Sequence, residues 1–213
     1  MSTHAGDHYI RSAPAFRLPY CFVMAARSEV EGFTLARAFP AALAADVRAV
    51  EALLGQRRLH SDCYLAELAT ERVAIHSRIY GEVPGTMALS ATQWLILHCI
   101  LTRHDNGYVR QAHVEPLLAQ REEWICPFVW LAVGEYVYEI VELIAAHVGE
   151  LDFELYTAFL ARNPALRELV LQRAISFWNP RFRRKKHEHF EKYPTYPIFA
   201  RFGIEAPFRH QTR

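Results

Sequence analysis

Between residues 105 and 148 the chain reads DNGYVRQAHVEPLLAQREEWICPFVWLAVGEYVYEIVELIAAHV, and this stretch constrains the fold more than any other. Its pattern predicts three short helices in succession, each apolar on one face and joined to the next by a small turn. An amphipathic helix must bury its apolar stripe against another element. Three in a row therefore predict a helical array. In the run after Gly134, Val137, Ile140, Val141 and Ile144 make the inward stripe, with Glu135, Glu139 and Glu142 outward.

The flanks extend the helical reading. Residues 1–28 carry Pro14 and Pro19 without clean periodicity and read as an irregular arm, while 29–39 fit a short helix or a strand equally well. Pro40 suits a first helical position, and Leu43, Val47, Val50 and Leu54 then mark one face of a helix that Gly55 ends. Ser61 is expected to cap a further helix, with Tyr64, Leu68, Ile75 and Ile79 on one side. The segment GEVPG at 81–85 is a turn. Ser90 and Gln93 have capping-box spacing. The helix they open, TQWLILHCILTR, is apolar nearly all round and is expected to be the most buried, with His98 a core histidine. Asp105-Asn106-Gly107 closes it with residues that tolerate a left-handed backbone. Shorter helices are expected at 122–133 and 152–161. Further on, Asn163 caps and Pro164 opens a helix whose face is Leu166, Leu169, Val170 and Phe177. After Trp178 the chain turns basic, aromatic and proline-punctuated, which predicts a short helix near 181–192 and then an extended tail. Phe182, Phe190, Tyr193, Tyr196, Phe199, Phe202 and Phe208 are too many rings for a free tail, so 193–208 is expected to pack along the helical body.

A weak internal periodicity accompanies the helices. Tyr108-Val109-Arg110, Tyr136-Val137-Tyr138 and Ala165-Leu166-Arg167 recur at spacings of 28 and 29, and three residues past each central one stand Ala112, Ile140 and Leu169. DNGYVRQAHVEPLL resembles the acidic turn, Val-Arg pair and small-residue helix of HEAT-like (armadillo-type) repeats, and Pro127 fits the preceding helix of a next unit. The resemblance spans about residues 90–178. It departs from the pattern at Tyr138, where a basic residue is usual, and where Gly-Glu replaces the acidic turn. It implies an all-α fold of six to eight helices, with antiparallel hairpins stacked as a short array whose surface holds another protein. A plain antiparallel helical domain without repeats accounts for the same residues.

Composition narrows the classes. The chain of 213 residues fits one helical domain over 1–178 with a docked C-terminal segment over 179–213. A formal net charge of +1 gives the whole protein no preference for nucleic acid or membrane. Cys21, Cys63, Cys99 and Cys126 form no CxxC pair, and Cys99 and Cys126 sit in apolar runs, which favours a reducing, cytoplasmic setting. The N-terminal residues lack a basic leader followed by an apolar stretch, so no secretory signal is expected. The uncharged run from Trp124 to Gly134 is too short to span a bilayer.

Charge is segregated along the chain. Residues 122–161 hold eight acidic residues and no lysine or arginine, whereas 181–192 hold six basic residues against Glu188 and Glu191. The basic segment either folds back on the acidic helices or faces a partner of its own. Glu135, Glu139, Glu142, Arg183, Arg184, Lys185 and Lys186 are accordingly the candidate partner-binding residues, in a non-catalytic scaffold or adaptor that needs no cofactor. The alternative is a nucleic-acid-binding protein using Arg181–Lys186 with Trp178. A HEAT-like DNA glycosylase would draw on Trp124, Trp130, Trp178 and Arg173 with a central glutamate. His187 and His189 flank Glu188 but no third metal ligand is announced, and no phosphate loop, dinucleotide fingerprint or nucleophile elbow occurs.

Overall fold

The computed structural model describes residues 27–29 (backbone only), 34–55, 57–83, 85, 88–183 and 186–205. The chain enters as a strand, β1 (Arg27–Glu29), in a region that sequence reading divides between an irregular arm and an undecided segment. After a 3-10 turn at Leu35–Ala38, Pro40 precedes a second such turn that runs into α1 (Ala44–Leu54). Val47, Val50 and Leu54 are buried on α1 as their spacing predicts, and Gly55 closes it at φ 63°, donating its N–H to Glu51.

The expected helix after Ser61 does not form. Residues 58–80 instead make four strands: β2 (Arg58–Leu59), β3 (Asp62–Glu67), β4 (Arg72–His76) and β5 (Ile79–Tyr80). β3 and β4 form an antiparallel hairpin with Cys63 opposite His76 and Glu67 opposite Arg72. β1 adds to the other side of β3, giving the order β1-β3-β4, and β2 pairs with β5 in a two-stranded sheet. The fold is therefore mostly helical rather than all-α. Tyr64, Leu68, Ile75 and Ile79 are all buried, so the burial expected of them is met. Their helical spacing arises by coincidence, because Val73 and Ile75 are β-branched and a short turn at 68–71 returns the chain on itself.

From Ser90 onward the structure is helical. α2 (Ala91–Leu101) opens with both halves of the capping box, Ser90 accepting from Gln93 and Gln93 accepting from the Ser90 N–H. Asp105-Asn106-Gly107 does not close α2 in a left-handed turn. Asn106 has φ −75° and caps α3 (Gly107–Val114), accepting from the Tyr108 N–H. Next come α4 (Cys126–Val133), α5 (Tyr138–Ala146), α6 (Phe153–Arg162), capped by Asp152, and α7 (Pro164–Arg181). The three short helices expected across 105–148 are thus α3, α4 and α5. The most buried helix is α4 rather than α2, with all eight of its residues buried, whereas the first turn of α2 stays partly exposed. Of the three positions that the periodicity puts on the same side of their helices, Ile140 and Leu169 are buried and Ala112 is exposed.

The C-terminal segment differs from expectation in detail. α7 runs through position 178 to Arg181, no α-helix covers the described residues between 182 and 192, and a 3-10 turn at Phe190–Lys192 precedes α8 (Thr195–Arg201). Pro197 lies in the first turn of α8, where the missing N–H has no intrahelical partner to lose. Tyr193, Ile198 and Phe199 are buried; Phe208, counted with them in the sequence, lies outside the described residues. Trp130 on α4 is fully buried, with the rings of Phe199 and Phe202 at 5.8 and 6.1 Å. α3 packs on α2 and α5, α4 on α5 and α7, and α8 on α5. Among the described residues no helix is long and apolar enough to cross a membrane.

One side chain ties the sheet to the helices. Asn163 stands at the N-cap position of α7 but makes no capping bond. Its Oδ1 accepts from the Glu67 N–H at 2.7 Å, and its Nδ2 donates to the Glu67 carbonyl at 2.8 Å and to Phe159 O at 2.8 Å. The amide thus pairs with β3 as another strand would. Asn163→Ala is expected to cost about 1–3 kcal/mol, because it leaves the Glu67 peptide groups without these partners. A lower urea midpoint at unchanged m-value would show it.

Candidate functional site

Glu135 sits in the turn between α4 and α5 and is 1% exposed, so it is not the outward glutamate that the helical spacing predicts. The reason is position: it precedes α5 and falls under the stripe of the array, where four arginines meet it. Arg78 grips the carboxylate with two hydrogen bonds, Nη1 to Oε1 at 3.1 Å and Nη2 to Oε2 at 3.0 Å. Arg103 donates to Oε1 at 3.2 Å, Arg110 approaches Oε2 at 3.3 Å, and Arg173 stands 3.8 Å from Oε1. Arg103 and Arg110 are fully buried, while Arg78 and Arg173 keep edges toward solvent at 19% and 18% side-chain exposure. Gly134 lets the turn lie against α7, since a Cβ there would come within 3.2 Å of the Val170 carbonyl.

Backbone carbonyls and rings hold the guanidiniums in place. Arg103 donates to Ser77 O at 2.9 Å, and Arg110 to His104 O at 2.8 Å and Asp105 O at 2.9 Å. Arg173 donates to the Tyr64 hydroxyl at 3.1 Å, and both Arg103 and Arg173 lie over the Tyr64 ring. Arg110 and Arg181 lie over the ring of Tyr136, which is 40% exposed. Burial alone would raise the Glu135 pKa, but the arginines, Arg103 foremost, hold it at about 2. Burial draws Arg103 down to about 10 against the pull of Glu135. Glu135 and Arg103 are therefore both charged at neutral pH, and Glu135 is an anchor rather than a proton carrier.

Two histidine features lie nearby. His76, fully buried at the end of β4, is pushed down to about 3 by burial, with the charges of Arg103 and Arg78 adding to the effect. His98 is half-buried rather than a core histidine, and its Nδ1 lies 2.7 Å from Nδ1 of His113. That contact is a hydrogen bond only when one ring carries its proton on Nδ1 and the other does not. Burial lowers both pKa values, that of His113 to about 4.

The remaining predicted contact residues that the structure describes are at the surface. Glu139 and Glu142 are exposed on α5. Lys186 is exposed too, with Nζ 4.2 Å from the centre of the Tyr138 ring, where Tyr138 and then Glu142 and Glu139 raise its pKa. Lys186 thus stands beside the acidic helix. Arg183 is exposed, donates to Asn179 at 3.3 Å and lies over Trp178. Arg184 and Lys185 lie outside the described residues. Trp178 is buried, with its Nε1 donating to His187 O at 2.8 Å, so it offers no free face for a base. Arg173 and Glu135 do meet, while each tryptophan packs on a phenylalanine: Trp124 on Phe39, Trp130 on Phe199 and Trp178 on Phe190.

Sequence reading missed Arg78, Arg103, Arg110 and His113 altogether and weighed Arg173 only as a glycosylase residue. A usable signal exists for Arg110, which shares the buried face of α3 with Val114 at four-residue spacing. Arg103 follows directly on the apolar run of α2 and carries a similar signal. No family model, curated protein or solved structure matches the chain.

Proposed function

We propose that the protein is a non-catalytic interaction protein that holds a basic partner on the acidic surface of α5 and the residues after it. The observation that supports this reading is one of placement. Glu139, Glu142, Glu150 and Glu154 are all exposed, in a stretch of the chain without lysine or arginine, and the Phe153 ring beside Glu154 is 50% exposed. The Phe153 ring stacks on Phe202 and carries the Arg201 guanidinium at 5.8 Å, and its exposed part beside acidic side chains suits a contact surface: the ring contributes area and the carboxylates steer the partner. In this reading helices 91–181 act as HEAT-like hairpins, a rigid support for that face. Lys186 beside Tyr138 neutralises part of it and is the group a basic partner would displace.

The test is partner capture by the wild-type chain and by the Glu139→Lys/Glu142→Lys variant. Both sites are exposed, so the variant is expected to keep its Tm and to lose the partner. If every partner stays bound, the acidic face is only solvated surface. Titration with duplex and single-stranded DNA at low salt covers the nucleic-acid alternative. Steeply salt-dependent binding that collapses when Arg183, Arg184, Lys185 and Lys186 become glutamate would establish that function in place of this one.

A further inference from the structure

We infer that the arginine cluster around Glu135 is a binding site for a phosphate group, taken up at the solvent-facing edges of Arg78 and Arg173. Four guanidinium charges meet one carboxylate there, which leaves three positive charges in excess within a single cluster. Two of those guanidiniums are fully buried. Buried charge of one sign is unfavourable unless paired, and Glu135, ionised and gripped from four sides, has no second charge to offer. A dianion brings more compensation than a carboxylate and matches the planar fork of an arginine with two parallel bonds.

The polar groups of the cluster are also incompletely partnered. Among the described residues the buried Nε of Arg103 and Nε and Nη2 of Arg110 have no hydrogen-bond partner; Arg110 Nη2 reaches Glu135 only as an ion pair. Arg173 has five donors, of which one bonds Tyr64, while its approach to Glu135 at 3.8 Å exceeds hydrogen-bond length. Arg78, in the link between β4 and β5, and Arg173 on α7 end on the same carboxylate, so an oxyanion lying against both would bridge the strand region to the helices. Arg181, one turn beyond Phe177 on α7 and over the Tyr136 ring, adds a further positive charge at the rim. A focused positive potential of this kind draws small anions from solution.

Thermal unfolding at matched ionic strength tests the inference. The probes are inorganic phosphate, glycerol 3-phosphate, acetate and chloride, and the pair of phosphates distinguishes the bare ion from a phosphate carried on an alcohol. Saturable stabilisation is expected from at least one phosphate, reaching ~5–10 °C in Tm at a hundredfold excess over Kd. Acetate and chloride are expected to give none. Arg173→Gln should abolish the phosphate shift. In chloride it should keep or raise the Tm, because it removes one of the mutually repelling charges. A purely structural cluster gives the opposite sign, with Arg173→Gln less stable in chloride and phosphate alike. Equal Tm values in phosphate and chloride for the wild type, or a phosphate shift that survives in both Arg173→Gln and Arg78→Gln, would overturn the inference. None of these readouts depends on the acidic surface of α5, so the two proposals stand or fall separately.

Discussion

Glu135→Ala is expected to destabilise the protein by about 3–5 kcal/mol, because it leaves fully buried arginines without their counter-charge. Arg103 and Arg110 have no exposed surface through which water could replace the lost carboxylate. Their hydrogen bonds to the carbonyls of Ser77, His104 and Asp105 orient them but supply only partial charge. A domain of ordinary stability, about 5–15 kcal/mol, would be brought near its unfolding threshold by such a loss. Urea denaturation read by near-UV circular dichroism measures it. If Glu135→Ala proves too unstable to purify, Glu135→Gln keeps the shape and removes only the charge. The double change Glu135→Leu/Arg103→Met should recover part of the loss, since an apolar pair of similar volume replaces a broken ion pair. A Glu135→Ala cost below about 1 kcal/mol would mean that the carboxylate is not what holds the arginines in place.

Acid should weaken the fold well above the pH at which carboxylates protonate. His76 titrates at 6.5 in the unfolded chain and at about 3 in the folded one. Between those values the unfolded state binds a proton that the folded state refuses, so protonation pulls the equilibrium toward unfolding. The stability is fully present above pH 6.5 and is lost as the pH falls toward 3. At about 1.4 kcal/mol per pH unit, His76 alone implies a loss of about 2 kcal/mol between pH 6.5 and 5. His113, lowered to about 4, acts in the same direction but is partly exposed and contributes less. Glu135, lowered from 4.5 to about 2, adds its own loss only below pH 4.5, where the unfolded chain takes up a proton that the folded carboxylate refuses until about pH 2. Urea denaturation at pH 7.5, 6 and 5 reads the slope. His76→Gln should flatten it in the upper window, and a wild-type protein equally stable at pH 7.5 and 5 would contradict the buried neutral imidazole.

What the sequence conveys about this fold follows from how local each signal is. The Ser90–Gln93 box, the Gly55 stop and the stripe Val47, Val50 and Leu54 are written within a few residues and appear as read. The hairpin at 62–76 was not legible as such, because its buried residues also fit helical spacing and nothing nearby broke the pattern strongly enough to decide. The candidate site was the least legible part. Arg78, Arg103, Arg110, Glu135 and Arg173 come from separate places in the chain, and Arg78, Glu135 and Arg173 taken singly look like ordinary surface charges. Only the closing of the array on the sheet makes them neighbours. The surface carboxylates Glu139 and Glu142 were legible for the converse reason: their place opposite Ile140 and Ile144 is fixed by their own helix.

The wholly apolar helix α4 also sets a timetable for the growing polypeptide. Its Trp130 is covered by Phe199 and Phe202, which leave the ribosome roughly 70 residues later, about 4–14 s at ordinary rates of synthesis. Through that interval the newest and greasiest segment of the chain lacks its lid. The nascent protein is therefore most exposed to chaperone capture, or to aggregation, just before α8 arrives.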